Sequence, residues 1–316
     1  MEYRQLGQTG LSVSHLSLGT VSLGLRYGIE KDQEGLPPPS LDDAARLLHK
    51  AVDAGLNFID TARAYGNSEE VLGRVLAERR KEILLATKVH CLDDERRPLR
   101  GEALRQRIQT SIETSLRQLN TEYVDVLMIH SAPVELLAEA EALAMLEEVR
   151  MQGLTRHIGA STYGAEAPRL AMEQGAEVLQ VAYNVLDRRM EEEIFPLASQ
   201  KGVGIVARSI YLKGALTERA EDLPVHLEPL KERSRRFRAA AAGLTPPLTA
   251  VDAALRFVLT NRDVGTVLVG VRSEAELDMA LVAAEAGPLP AEAMKQIGSL
   301  QWHESPLLDP STWGMP

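Results

Sequence analysis

Apolar positions along the chain switch repeatedly between two spacings. Short continuous runs, such as Leu56-Asn57-Phe58-Ile59, Ile83-Leu84-Leu85-Ala86 and Val126-Leu127-Met128-Ile129, are separated by stretches where apolar residues recur every three or four positions. The runs read as strands covered on both faces and the recurrences as helices. Between Ser40 and Gly55, for example, Ala44, Leu47, Leu48, Ala51 and Val52 share one helical face. Ser40 can cap that helix, Asp42 and Asp43 sit in its positive first turn, and Gly55 closes it. A first strand is predicted over 15–20. Strand LNFID is followed by a helix over 68–77, EILLATK by one over 102–119, YVDVLMIH by one over 136–151, TRHIGAS by one over 165–173, and VLQVAY by one over 190–201. Strand VGIVARS leads into a long irregular stretch, 210–248, with room for a helix and the character of a lid. Then come a helix over 249–260, strand TVLVG and a helix over 274–284. About eight strand–helix pairs predict an α/β fold, a (β/α)8 TIM barrel in a single domain spanning 1–316. YRQLG and LSVS, around Gln8-Thr9-Gly10, add an N-terminal β-hairpin, and extended loops are expected at the C-terminal face. A doubly wound dinucleotide fold would carry G-x-G-x-x-G after an early strand, and the sequence has none.

Composition narrows the functional classes. The 316 residues are 45% hydrophobic and 25% charged, with a net charge of −10. That balance argues against nucleic acid as the main partner, because no basic excess exists to neutralise phosphates. The basic stretch Lys231 to Arg238 reads as a solvated helix face. No apolar run reaches the roughly 18 residues of a membrane span, and the N-terminus lacks a signal pattern, so a cytoplasmic protein is expected. The single cysteine, Cys91, reads as a spectator.

Candidate chemistry sits at the ends of the strands, where a barrel builds its active site. Asp60, Lys88, His130, Ser161, Gln180, Ser209 and Gly270 all fall there, and Tyr65 lies in the turn after Asp60. A carboxylate, a phenol, an ammonium and an imidazole form a proton-transfer set, and a phenol needs a neighbouring cation to be a competent acid near neutral pH. The same residues leave a second chemistry open, a Schiff base on Lys88. Histidine spacing suggests no metal site.

These pieces together resemble an aldo-keto reductase. The resemblance rests on LGQTGLSVS, GLNFIDTARAYGNSEEVLG, ATK at 86–88, DVLMIH at 125–130, GLTRHIGAST at 153–162, EVLQVAYN at 177–184 and VLVGVRS at 267–273, in family order over nearly the whole chain. It implies an NAD(P)(H)-dependent oxidoreductase that interconverts a small carbonyl compound (an aldehyde, ketone or sugar) and an alcohol. Tyr65 would be the general acid, Lys88 the cation that lowers its pKa, Asp60 the carboxylate orienting that lysine, and His130 the group orienting the carbonyl.

The resemblance also implies the cofactor residues. Ser161, Thr162 and Gln180 would hold the nicotinamide carboxamide, Thr162 replacing a more usual Asn. Arg208 stands where many relatives have an aromatic stacked on the nicotinamide, a place a guanidinium can also take. Ser209, Leu212 and Gly214 would follow the pyrophosphate. Gly19, Thr20 and Asp60 would lie near the nicotinamide ribose, and Gly270, Arg272 and Glu276 at the adenosine end. Arg272 favours NADP(H) through its 2′-phosphate. Glu276 would repel that phosphate and Ala280 replaces a usual Asn, so NAD(H) stays open. A monomer is expected, with substrate choice set by 24–40, 131–136, 210–248 and the C-terminal tail. Arg63, His157, Tyr163, Trp302 and Trp313 are weaker candidates for the pocket. A dinucleotide-binding accessory protein with little turnover is the alternative on the same fold.

Overall fold

A computed structural model describes residues 1–30, 35–303 and 305–315. The strands are β1 (Tyr3–Gln5), β2 (Ser12–Ser14), β3 (Leu16–Gly19), β4 (Phe58–Asp60), β5 (Leu84–Val89), β6 (Val124–Ile129), β7 (Thr155–Thr162), β8 (Val178–Ala182), β9 (Gly204–Arg208) and β10 (Thr266–Gly270). β3 to β10 close into one barrel in sequence order, with β10 pairing back on β3, and every pair is parallel. This is the predicted (β/α)8 barrel.

β1 and β2 form the expected antiparallel hairpin. It plugs the end of the barrel where the strands begin. Leu6, Leu11 and Val13 pack into one apolar cluster with Phe58, Ala86, Val126, Met128, Val178, Val206 and Leu268. Arg4 fixes the hairpin by donating to the carbonyls of Leu259, Asn261 and Val264.

That cluster explains how the barrel positions its chemistry. Side chains along a strand alternate between faces, so residues two apart point the same way. Phe58, Ala86, Met128, Val178 and Val206 fill the barrel floor. One pleat step further along come Asp60, Lys88, His130, Gln180 and Arg208. The apolar floor and the polar mouth are therefore written into the same strands.

Several helix boundaries differ from the sequence reading, for identifiable reasons. The helix expected over 136–151 is two, Val134–Leu137 and Glu141–Met151. The side chain of Gln174 donates to the Leu137 carbonyl, while the Glu141 amide bonds Glu139 instead. The helix expected from 190 begins at Ile194, which places Pro196 in its first turn, where a missing N–H costs little. The stretch 210–248 carries a helix, Glu228–Ala242, whose basic residues pair with Glu221, Glu228 and Glu232. A further helix, Ala291–Gly298, was not anticipated. Ser40 caps its helix as predicted, accepting from the Asp43 amide. No helix among the described residues is long and apolar enough to cross a membrane.

Candidate active site

Asp60, at the last position of β4, and Lys88, near the end of β5, meet inside the barrel mouth. Lys88 Nζ lies 2.7 Å from both Asp60 carboxylate oxygens and 2.9 Å from the Thr61 carbonyl, and it is fully buried. Gln180, from β8, donates to Asp60 Oδ1 at 2.8 Å. The carboxylate thus accepts three hydrogen bonds from two donor groups, and the ammonium reaches both carboxylate oxygens and a carbonyl, which is what a buried ion pair requires. Burial lowers the pKa of Lys88 and Asp60 opposes that shift.

The Tyr65 hydroxyl stands 3.5 Å from Lys88 Nζ. Its turn is locked by two glycines. A Cβ on Gly24 would overlap the Tyr65 carbonyl oxygen and the Ser68 amide, and Gly66, at φ 58°, packs against the Gly24 carbonyl. Burial pushes the Tyr65 pKa up from its ordinary value, and the Asp60 charge adds to the rise. Both effects favour the protonated phenol.

His130, one residue beyond β6, stands edge-on to Tyr65 with ring centroids 5.5 Å apart at 86°. Its Nδ1 is buried without a hydrogen-bond partner. Burial, then the Lys88 charge, holds it well below the ordinary value of 6.5, so it is a neutral imidazole. Arg208, at the end of β9, lies 3.9 Å over the Tyr163 ring, donates to the Thr162 carbonyl at 2.9 Å and bonds Ser209 Oγ at 3.1 Å.

These groups border a cavity of about 550 Å³ that runs from Tyr65 and His130 to Arg272 and Glu276. Gly19, Thr20, Asp60, Ser161, Gln180, Arg208, Ser209, Gly214, Gly270, Arg272 and Glu276 all line it. Three of the sequence candidates do not. Lys88 is fully buried against Asp60. Leu212 is buried in the core, leaving only its backbone to the loop, and the Thr162 hydroxyl is buried beside the cavity without a partner. The loop after β9 is contorted, with Ser209, Leu212 and Lys213 all at positive φ, a strain typical of ligand-binding backbone. At the far end the Glu276 carboxylate accepts from the Arg272 amide at 2.8 Å, while the Arg272 side chain reaches the Pro37 carbonyl and leaves Nη1 buried and unpaired.

Sequence reasoning missed Tyr27, Tyr211, Lys213 and Arg219, which also line the cavity. Lys213 bonds the Met315 carbonyl at 2.8 Å, and burial lowers its pKa to about 8. The flagged loops were the available signal, since 24–40, 131–136, 210–248 and the tail each contribute lining residues. Residues 31–34 of the first loop lie outside the described set. Tyr163 is a wall residue, but the other weaker candidates are not. Arg63 turns away to pair with Glu69, and His157 bonds Glu177 inside β7. Trp313 is buried on Leu307, and Trp302 packs under Arg233. Cys91 is buried with its thiol pushed up to about 12, as befits a spectator. Among the described residues no cluster of side chains could hold a metal ion.

The family described as Aldo/keto reductase family matches residues 15–301. The chain is 28% identical over 310 residues to a protein of Bacillus subtilis (strain 168) described as the uncharacterized oxidoreductase YqkF, covering 95% of this chain and 96% of that one. It is 30% identical over 227 residues to the NADH-specific methylglyoxal reductase of Escherichia coli (strain K12), covering 67% and 68%. The solved structure of aldo-keto reductase AKR11C1 from Bacillus halodurans, in its holo form, superposes with a TM-score of 0.76 at 27% identity, covering 95% and 96%.

Proposed function

We propose, from the premise that the chain belongs to the aldo/keto reductase family, that this oxidoreductase interconverts a small carbonyl compound and its alcohol using NAD(P)(H). The observation that carries the reading is the contact of Tyr65 with the buried Lys88–Asp60 pair beside a cavity of about 550 Å³ whose lining extends to Arg272 and Glu276.

The residues present fit such a cofactor. Among the residues that line the cavity, His130 and Arg272 bring buried polar atoms without partners, Nδ1 and Nη1, to its opposite ends. Ser161, Thr162 and Gln180 would hold the carboxamide, with Arg208 bordering the nicotinamide and Gly19 and Thr20 near its ribose. The backbone of Ser209, Leu212 and Gly214 would follow the pyrophosphate, and Gly270, Arg272 and Glu276 would meet the adenosine. When bound, the nicotinamide supplies the hydride.

The protein's own part is proton transfer and positioning. Negative charge grows on the carbonyl oxygen as its carbon is reduced, and Tyr65 donates its proton there. Lys88, held by Asp60, steadies the phenolate that forms. Neutral His130 offers a ring N–H to the same oxygen and fixes the carbonyl's orientation. Because the Tyr65 pKa lies above 10.0 and that of His130 below 6.5, kcat for reduction should stay level from neutral pH to above pH 10. It should fall only as Tyr65 ionises. An inflection between pH 6 and 7 in a pH–rate profile would remove this assignment.

Arg272 and Glu276 place opposite charges at the adenosine end, so discrimination between NADPH and NADH should be modest. Glu276→Gln keeps an acceptor for the Arg272 amide and removes the repulsion on a 2′-phosphate. It should raise the NADPH-to-NADH ratio of kcat/KM by about tenfold, the effect of roughly 1.4 kcal/mol from one partly exposed charge. Parallel titrations with the two cofactors measure this, and a ratio that does not move would take Glu276 out of cofactor choice. Turnover of NADPH or NADH against a panel of aldehydes, ketones and sugars tests the function itself. Tight dinucleotide binding without turnover would favour an accessory protein instead.

A further inference from the structure

The cations of the cavity differ in how they are matched. Lys88 pairs with Asp60 and Arg219 with Glu30 at 3.8 Å, whereas Lys213 meets the Met315 carbonyl and the Arg272 guanidinium the Pro37 carbonyl, Glu276 taking the Arg272 main-chain amide. Arg208 has no carboxylate within ion-pair distance among the described residues. Its guanidinium contacts a carbonyl, a hydroxyl and an aromatic face, all of them uncharged, and its Nε is buried without a partner. Burial works against its charge and the phenols of Tyr163, Tyr65 and Tyr27 work for it, but a phenol near neutral pH brings a dipole and no full charge. Burial raises the pKa of Tyr27 and of Tyr65, and Tyr163 offers the face of its ring.

A largely buried guanidinium without a counter-charge is costly, and such a group in a cavity wall is matched by what the cavity binds. Its place in the cavity decides which ligand that is. Lys213, Arg219 and Arg272 lie along the outer length, where the phosphates of a dinucleotide would run under the reading proposed above. Arg208 lies at the inner end, and its charge acts on Tyr65, His130 and Lys88, the groups grouped around the reacting carbonyl. No phosphate of the cofactor is expected there.

We propose that Arg208 recognises an anionic group on the substrate, and that the enzyme's preferred carbonyl compounds carry a carboxylate close to the reacting carbon, as 2-oxo acids and short aldehyde acids do. The inference rests on the oxidoreductase reading and adds the substrate's charge to it. A planar guanidinium suits the role, because it can offer its edge to a carboxylate while a face remains against Tyr163 or a nicotinamide. Reduction consumes one hydride from the cofactor and one proton from Tyr65, and gives the hydroxy acid with its carboxylate unchanged.

The test compares substrates matched in size and differing in charge: glyoxylate against glycolaldehyde, and succinic semialdehyde against butanal. A charge-assisted hydrogen bond predicts kcat/KM higher for the acid by about 10- to 100-fold. In Arg208→Gln that preference should collapse toward one, mostly through KM for the acid. Arg208→Lys, which keeps the charge without the fork, should retain part of it. Dissociation constants for NADPH and NADH, read by nucleotide fluorescence in the same variants, supply a measurement independent of turnover. Equal kcat/KM for acids and their neutral partners in the wild type overturns the inference while leaving the oxidoreductase reading intact. So does an Arg208→Gln variant that weakens dinucleotide binding with the acid preference unchanged. Failure to oxidise NADPH or NADH with any compound would instead count against the function itself.

Discussion

Tyr65→Phe is expected to lower kcat for carbonyl reduction by about 10²- to 10⁴-fold, the usual contribution of a positioned general acid. The change removes one oxygen and keeps the ring, so its edge-on contact with His130 survives. The turn that carries it is held by main-chain contacts with Gly24 and by the Ser68 amide donating to the Tyr65 carbonyl, none of which involves the hydroxyl. The dissociation constants of NADPH and NADH and the unfolding midpoint should therefore change little while turnover collapses. Steady-state kinetics with nucleotide fluorescence titration separates the two quantities. Full activity in the variant would assign the proton to another donor, and His130 would be the first to examine.

The second large effect is on stability. Lys88 is fully buried and Asp60 is 3% exposed, so removing one charge strands the other. Asp60→Ala and Lys88→Met should each cost about 3–5 kcal/mol, a large part of the net stability of a domain. The double variant should be more stable than either single one, because neither charge is then left alone, yet it should remain inactive. Urea denaturation midpoints give the stabilities, and the two single changes with the double one form a mutant cycle. Additive losses would mean that the pair is not energetically coupled. The comparison separates the stability role of the pair from its catalytic role, which single substitutions confound.

The sequence already displayed the parts of this molecule that depend on local period. Every barrel strand overlaps a segment read as a strand, and polar residues at several strand ends follow from two-residue alternation, as in Met128 and His130 or Val206 and Arg208. Features created by contacts distant in sequence were hidden. The break between the helices at 134–137 and 141–151 depends on Gln174, more than thirty residues away. The helix at 228–242 does bury Leu230, Ser234, Phe237 and Ala241 at helical spacing, but its dense charge masks that stripe. The helix at 291–298 buries only Ala293 and Ile297, too few positions to establish a period. In the site, the identities of Asp60, Lys88, Tyr65 and His130 were legible. The direction of the Tyr65 shift was not, because it depends first on how deeply the assembled barrel buries the phenol and then on the Asp60 charge. The isolation of Arg208 was equally hidden, since the lack of a neighbouring carboxylate is a property of the assembled barrel.

The interlock of Gly24 with Gly66 has a practical bearing on redesign. The acid's position is set where one main chain rests directly on another, so it does not depend on which side chains furnish the surrounding loops. A library aimed at new substrates can vary Tyr27, Leu36 and Tyr163, which line the cavity and are not among the neighbours that Gly24 and Gly66 meet. Positions 24 and 66 belong outside any such library. A single methyl group at either would move the proton donor itself, and screening would then report lost alignment as if it were lost recognition.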